Sequence, residues 1–364
     1  MNTISVKLDR IASSTRNARL SFDAVLGSRV IAREGYVVAV RVLSDKSTYN
    51  VVEDVGGRMT ALRSGDILAG TLGSRRALRG YAGETPARLE PGDEIHVLNL
   101  GGVLGRCTST NPDLGPPFRA ELLGAVLAFP ALGDRVGRPA HIRSGAISPS
   151  DALDCRLPVI WVSGTCMNAG KTVAATEIVR GLTRGGLRTA AAKLTGVALM
   201  RDALQMRDAG AVEALTFNDA GLAATHPGDT VAVARGILNR LARARPDVIV
   251  AELGDGVLGE YGVEDVLSDP GLMELGAAHV LCAGDPVGCW GAARLFGERF
   301  GLPLTVVSGP ATDNEVGRSF VEGSLGLPAR NALSDPAGLV TVVRRALEAW
   351  KVPPAAVPAA GASA

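Results

Sequence analysis

The chain predicts an α/β fold, a parallel sheet with crossover helices and a phosphate-binding loop, preceded by a smaller β-rich, barrel-like N-terminal domain. Three observations predict it. From Leu157 onward, apolar runs alternate with helical patterns, which is how a parallel sheet and its crossover helices read in sequence. Near the start of that region, LPVIWVSGTCMNAGKT (157–172) is an apolar run that stops at a glycine, loops, and restarts as a helix behind Gly170-Lys171-Thr172. Before it, residues 1–145 lack helical periodicity and carry alternating or apolar runs separated by glycine-rich turns.

In chain order, strands are expected at 36–43 (YVVAVRVL), 66–72 (DILAGTL) and 94–100 (EIHVLNL). An echo of LxxGDxI at Leu62–Ile67 and Leu89–Ile95 fits Gly-Asp turns leading into the strands of a small barrel. Segment 118–129 (FRAELLGAVLAF) reads as one helix closing the domain. The Gly-, Pro- and Ser-rich stretch 135–154 marks a linker whose boundary falls at 146–156. The second domain, 157–351, should hold strands at 157–163, 187–194, 247–253, 279–284 and 303–308. Helices are expected at 171–184, 198–210, 229–244, 286–300, 313–325 and 335–351. The tail 352–364 (VPPAAVPAAGASA) has no periodicity and reads as disordered.

Composition narrows the classes. A length of 364 residues with 46% hydrophobic content suits two buried cores. The longest apolar runs fall short of the roughly 18 residues that span a bilayer, and MNTISVKLDRIASSTRNARL lacks the apolar centre of a signal peptide, so a cytoplasmic location is expected. Net charge is +1, with 38 basic and 37 acidic residues interspersed, which argues against nucleic acid or an anionic membrane as partner. The five cysteines are scattered without CxxC or Cys/His spacing and read as free thiols. Cys166 lies within the phosphate loop, either as a small filling side chain or with a pKa lowered by the helix N-terminus.

In a phosphate loop, backbone N–H groups and a helix N-terminus converge on an anion, while a lysine and a hydroxyl supply charge and a Mg²⁺ ligand. Gly164, Thr165, Asn168, Ala169, Gly170, Lys171 and Thr172 are the residues of this kind here. The common pattern puts four residues between the two glycines. Here five intervene, Thr165 to Ala169. Gly-Thr, a five-residue gap and Gly-Lys-Thr resemble the phosphate loop of dethiobiotin synthetase and the cobyrinate amidases, in the P-loop NTPase branch that includes the MinD and ParA ATPases. The resemblance covers about half the chain and implies Mg²⁺ and ATP, with GTP left open, and a site built across a homodimer.

Ligands of such sheets bind beyond the carboxyl ends of the strands, so strand-end residues are the candidates. Lys193 ends an apolar strand, where a charge is costly unless it is paired, faces a ligand or snorkels to the surface. In DVIVAELGDG the apolar run ends at Glu252, then Asp255. A carboxylate there serves as Mg²⁺ partner or water-orienting group, and Glu252 follows the run directly. Dethiobiotin synthetase likewise carries a Glu followed by glycines here. The string DALQMRDAGA resembles that family's Asp-Ala pair and also the molybdopterin-guanine dinucleotide biosynthesis adaptor, which implies a metal role for Asp202. Asp208, six residues on, falls off that face and reads as a surface acid. After the last strand, where the resemblance implies base recognition, Ser308 replaces the family's Asn. Asp313 and Asn314 suit either base reading or helix capping. Asp285, Asp219 and His226 are further candidates bordering the substrate.

Lys171, Lys193 and Glu252 thus form the expected catalytic set, with Thr172, Asp202 and Glu252 toward metal. The expected function is a Mg-ATP-dependent ligase-type enzyme that phosphorylates a small-molecule carboxylate or carbamate for C–N bond formation. No Cys/His pair stands in a nucleophile context, which argues against a built-in glutaminase. A nucleotide-dependent switch or adaptor with slow hydrolysis is the alternative, and a small-metabolite kinase shares the same residues. Against the MinD and ParA version, the loop lacks their early lysine, since Thr165 and Cys166 follow Gly164.

Overall fold

The computed structural model describes residues 3–131 and 133–352. Two sheets organise it. Six strands form an all-parallel sheet in the order Ala214–Thr216, Thr189–Thr195, Val248–Leu253, Val159–Gly164, Gly276–Cys282, Val306–Ser308. Val-, Ile- and Ala-rich runs buried on both faces explain why these strands read as continuous apolar stretches rather than as alternations. Helices Lys171–Arg184 and Pro336–Ala349 pack together on one face, and Thr230–Ala242 lies against Thr189–Thr195. The remaining helices include Arg201–Asp208, Pro286–Leu295 and Glu315–Leu325. Expected elements therefore appear with shifts of a few residues at their ends. The exception is the expected helix 286–300, whose last turn, Phe296–Phe300, is a π-helix. The short edge strand Ala214–Thr216 and the helices Val263–Ser268 and Pro270–Met273 were not expected, being too short to carry a period.

The N-terminal half builds an eleven-stranded mixed sheet and a separate two-stranded ribbon, Val51–Glu53 with Met59–Ala61. Strands Phe118–Ala128, Val37–Val42, Ile67–Leu72, Val103–Ser109 and Glu94–Val97 pair in a closed circuit, four pairings antiparallel and one parallel. Segment 118–129 corrects the sequence expectation: it is a strand, not a helix. FRAELLGAVLAF offers both periods, but Phe118, Ala120 and Leu122 alternate inward, and antiparallel partners lie on both sides. Pairing with distant strands therefore decides against the local helical period.

Segment 146–156 has no helix or strand. It is laid along the C-terminal half by hydrogen bonds from Ile147 N–H to the Asp219 carbonyl (2.8 Å) and from Ser150 N–H to that of Ala232 (2.9 Å). One apolar cluster continues from Leu26, Val37 and Val103 into Trp161, Ala192 and Leu253, so the two halves share buried surface. Val352 is exposed, and the rest of the tail, 353–364, lies outside the described residues. Among the described residues no helix is long and apolar enough to cross a membrane.

Candidate functional site

A cleft of about 660 Å³ opens where the carboxyl ends of the parallel strands meet the N-terminal half, a size usual for small-molecule sites. Its phosphate wall is made by the loop after Val159–Gly164. Gly170 adopts φ +92°, a left-handed conformation that favours glycine, and from it the helix Lys171–Arg184 starts with its N-terminal N–H groups toward the cleft. Asn168 also has positive φ (+63°), bending the loop around the same space. The Lys171 ammonium lies across its own loop and donates to the Cys166 carbonyl at 2.8 Å, a contact that a phosphate oxygen can replace.

Behind the loop, strand register brings the expected residues together. Glu252 stands beside Val162 on one neighbour and Lys193 on the other. The Thr172 hydroxyl donates to Glu252 Oε1 at 3.0 Å, and Lys193 Nζ lies 3.9 Å from the same oxygen. Lys193 also forms a close ion pair with Asp202, presented by the helix Arg201–Asp208. Burial opposes the charge on Lys193, but Asp202 and Glu252 outweigh it and raise its pKa above the ordinary lysine value. Burial raises the pKa of Glu252, with Lys193 opposing.

Glu252 is only 2% exposed, and its Oε2 has no hydrogen-bond partner. A buried carboxylate oxygen without a partner is costly. Together with the Thr172 hydroxyl it makes a two-oxygen donor set that would suit Mg²⁺, a cation bound through oxygen ligands. Asp202 is engaged by Lys193, so the acid to which the resemblance assigns metal neutralises a lysine here. Among the described residues no cluster of three or more His, Cys, Asp or Glu forms a self-contained metal cage.

The opposite wall was not legible in the sequence. Tyr49, Arg75, Arg79, Asn99 and Leu100 line it from loops and strand ends of the N-terminal half. Hydrogen bonds hold the two walls together. Asn99 Nδ2 donates to the Ala198 carbonyl (2.7 Å), Leu78 N–H to Asp255 Oδ2 (3.3 Å), and Arg76 N–H to the Tyr261 hydroxyl (2.9 Å). Burial pushes the Tyr261 phenol up to about 12, so it stays protonated. Glu53, buried in the N-terminal ribbon, accepts the N–H groups of Met200 and Arg201 at 2.6 and 2.7 Å and so caps the helix that carries Asp202.

The other candidates lie apart from this cleft. Ser308 is fully buried and its hydroxyl accepts the Ala332 N–H at 3.1 Å. Asp313 Oδ1 accepts from Asn331 at 2.8 Å, and Asn314 caps the helix Glu315–Leu325 through the Gly317 N–H at 3.0 Å. Asp285 caps Pro286–Leu295. Asp219 pairs with Arg16 at 2.6 Å, and Asp208 is exposed. His226 Nε2 meets both Ser74 Oγ and Glu34 Oε2 at 3.1 Å. Both contacts fall on one ring nitrogen, so the three do not form a nucleophile–base–acid relay, which needs both nitrogens.

No protein-family model matches the chain, and no curated protein matches it. Among solved structures it is similar to chloroplast FtsY from Physcomitrella patens, with 14% identity, 54% of this chain and 69% of that one covered, and a TM-score of 0.36. A DUF1611 family protein from Anabaena variabilis gives 15%, 55%, 63% and 0.36, so the chain spans less than two thirds of its length. The signal recognition particle receptor FtsY from Elizabethkingia anophelis gives 11%, 56%, 68% and 0.37. Likenesses at these scores carry no argument about activity. The parallel sheet and its loop make the C-terminal half P-loop NTPase-like in fold.

Proposed function

We propose that this chain is a Mg²⁺- and ATP-dependent enzyme of ligase type, transferring the γ-phosphoryl group to a small-molecule carboxylate or carbamate so that a nitrogen nucleophile can displace phosphate. The observation that carries the reading is the second wall. A switch protein leaves the terminal phosphate facing solvent or a protein partner, whereas here the N-terminal half covers the phosphate loop and leaves a cleft of about 660 Å³ between them. We read the closed strand circuit of that half as a barrel-like domain whose task is to hold the acceptor.

In this reading Lys171 leaves the Cys166 carbonyl for the β and γ phosphates, and the loop N–H groups cradle the triphosphate. Thr172 and Glu252 hold Mg²⁺, which supplies charge neutralisation on the phosphate oxygens. Lys193, kept charged by Asp202 and Glu252, adds a fixed positive charge where the transferred group gains negative character. Because Lys193 and Glu252 are fixed by strand register before substrate arrives, they need little reorganisation.

The test is phosphate release by purified protein with Mg-ATP, with and without small carboxylates and ammonia. Release is expected to be negligible until an acceptor is present. Glu252→Gln is expected to keep nucleotide affinity and to lower acceptor-dependent turnover roughly 100- to 1,000-fold. Acceptor-independent hydrolysis stimulated by a protein partner would overturn the enzyme reading in favour of a switch. Full turnover in the variant would remove Glu252 from the mechanism.

A further inference from the structure

Arg75 follows the strand Ile67–Leu72 and lines the cleft, yet it is only 3% exposed. A guanidinium stays protonated at any working pH, and a buried charge is costly unless it is paired. Among the described residues no carboxylate forms an ion pair with Arg75. Its Nη1 donates to the Tyr49 hydroxyl at 3.0 Å and to the Leu98 carbonyl. Among the described residues its Nε is buried without a partner and Nη2 makes no hydrogen bond. The Tyr49 and Tyr81 rings lie 5.6 and 5.9 Å from the guanidinium carbon and hold it without neutralising it. Gly80 packs against the guanidinium, where a Cβ would fall 2.4 Å from Nη2, so glycine is what leaves room for the Arg75 side chain itself.

The unpartnered edge, Nε with Nη2, has the side-on geometry that matches the two oxygens of a carboxylate, with Nη2 the donor nearer solvent. The cleft has the same sign of need. Arg75, Arg79, Lys171, Lys193 and Arg201 line it against only Asp202, Glu252 and Asp255. Arg75 stands on the wall facing the phosphate loop, across the cleft from Lys171 and Thr172.

We infer that Arg75, braced by Tyr49, is the binding residue for a carboxylate of the acceptor that is not itself phosphorylated, so that the substrate is a small molecule with at least two acidic or acid-derived groups. This rests on the enzyme reading above for what the acceptor does, but not for its binding. No bond changes at Arg75.

The test uses the full chain and sodium formate as the smallest carboxylate probe, with chloride at matched ionic strength as reference and inorganic phosphate as the competing anion. Formate is expected to give a saturable rise in Tm of about 2 °C, and Arg75→Gln to abolish it. Arg75→Lys keeps the charge but loses the fork, and is expected to need at least about fivefold more formate. It carries the test if the glutamine variant does not fold. A formate response undiminished in either variant, or no response in the native chain, overturns the assignment. So does an Arg75-dependent response larger for phosphate than for formate. Binding of a fluorescent ATP analogue to the native chain is measured alongside. Its loss with the formate response intact sinks the nucleotide reading alone, and the reverse sinks only the carboxylate site.

Discussion

The two walls of the cleft handle buried charge in opposite ways. On the phosphate wall the buried Lys193 is matched by two carboxylates, Asp202 and Glu252, while Lys171 lies on the Cys166 carbonyl. On the N-terminal wall Arg75 is as deeply buried, but its company is two phenol rings, a hydroxyl and a carbonyl. An ion pair such as that of Lys193 is assembled before ligand binds, which suits the positioning of a triphosphate in the proposed reaction. A buried guanidinium with no carboxylate leaves its neutralisation to a ligand, and in the proposed reading that is where selectivity resides.

The largest effect that tests this contrast is on the phosphate wall. Lys171→Ala is expected to weaken Mg-nucleotide binding roughly 100-fold in a fluorescent-nucleotide titration, without change in Tm beyond a degree or two. Unchanged affinity would remove the loop from nucleotide binding and leave the comparison without one of its sides.

Next in size is the joint between the walls. Glu53→Ala deletes the acceptor for two helix N-terminal N–H groups and is expected to cost about 2.5 kcal/mol in urea unfolding. It should also loosen Asp202 from Lys193, so acceptor-dependent turnover should fall while nucleotide affinity holds. A stability loss below about 0.5 kcal/mol would mean that the halves are held by their shared apolar core alone.

The smallest effect sharpens the point about unmatched charge. His279, buried in the strand Gly276–Cys282 with Nδ1 unpartnered, responds to burial by giving up its proton, and its pKa falls to about 4. Arginine cannot do this, which is why Arg75 needs a ligand and His279 does not. The folded pKa lies below the unfolded value of 6.5. Above pH 6.5 both states are neutral and the contribution is complete. As pH falls from 6.5 to 4 the unfolded chain takes up the proton first and stability declines. His279→Gln is expected to flatten that decline by on the order of 2 kcal/mol. An unaltered slope would show that His279 is hydrated or partnered in solution.

Much of the phosphate wall was legible because its signals are local. The gap of five residues before Gly170, the lysine at the end of an apolar strand and the glutamate after another each announce themselves within about ten residues. The N-terminal wall announces less. Arg75 follows the apolar run Ile67–Leu72 much as Lys193 comes near the end of its own strand, but a strand end in a mixed sheet points to no common rim, so the signal has no address until the sheet is built. Segment 118–129 failed for a related reason: its residues permit both a helix and a strand, and partners about 25 and 80 residues away in sequence decide.

By itself the sequence determined the parallel sheet and singled out the loop 164–172, Lys193 and Glu252 as candidates, because backbone period and strand-end chemistry are properties of contiguous residues. Only the tertiary structure decided that Asp202 neutralises Lys193, that Ser308 is sealed away from the cleft, and that a buried, unpaired arginine from the other half faces the loop. Those are facts about charge compensation and burial, which depend on what long-range packing brings near a side chain rather than on its neighbours in the chain.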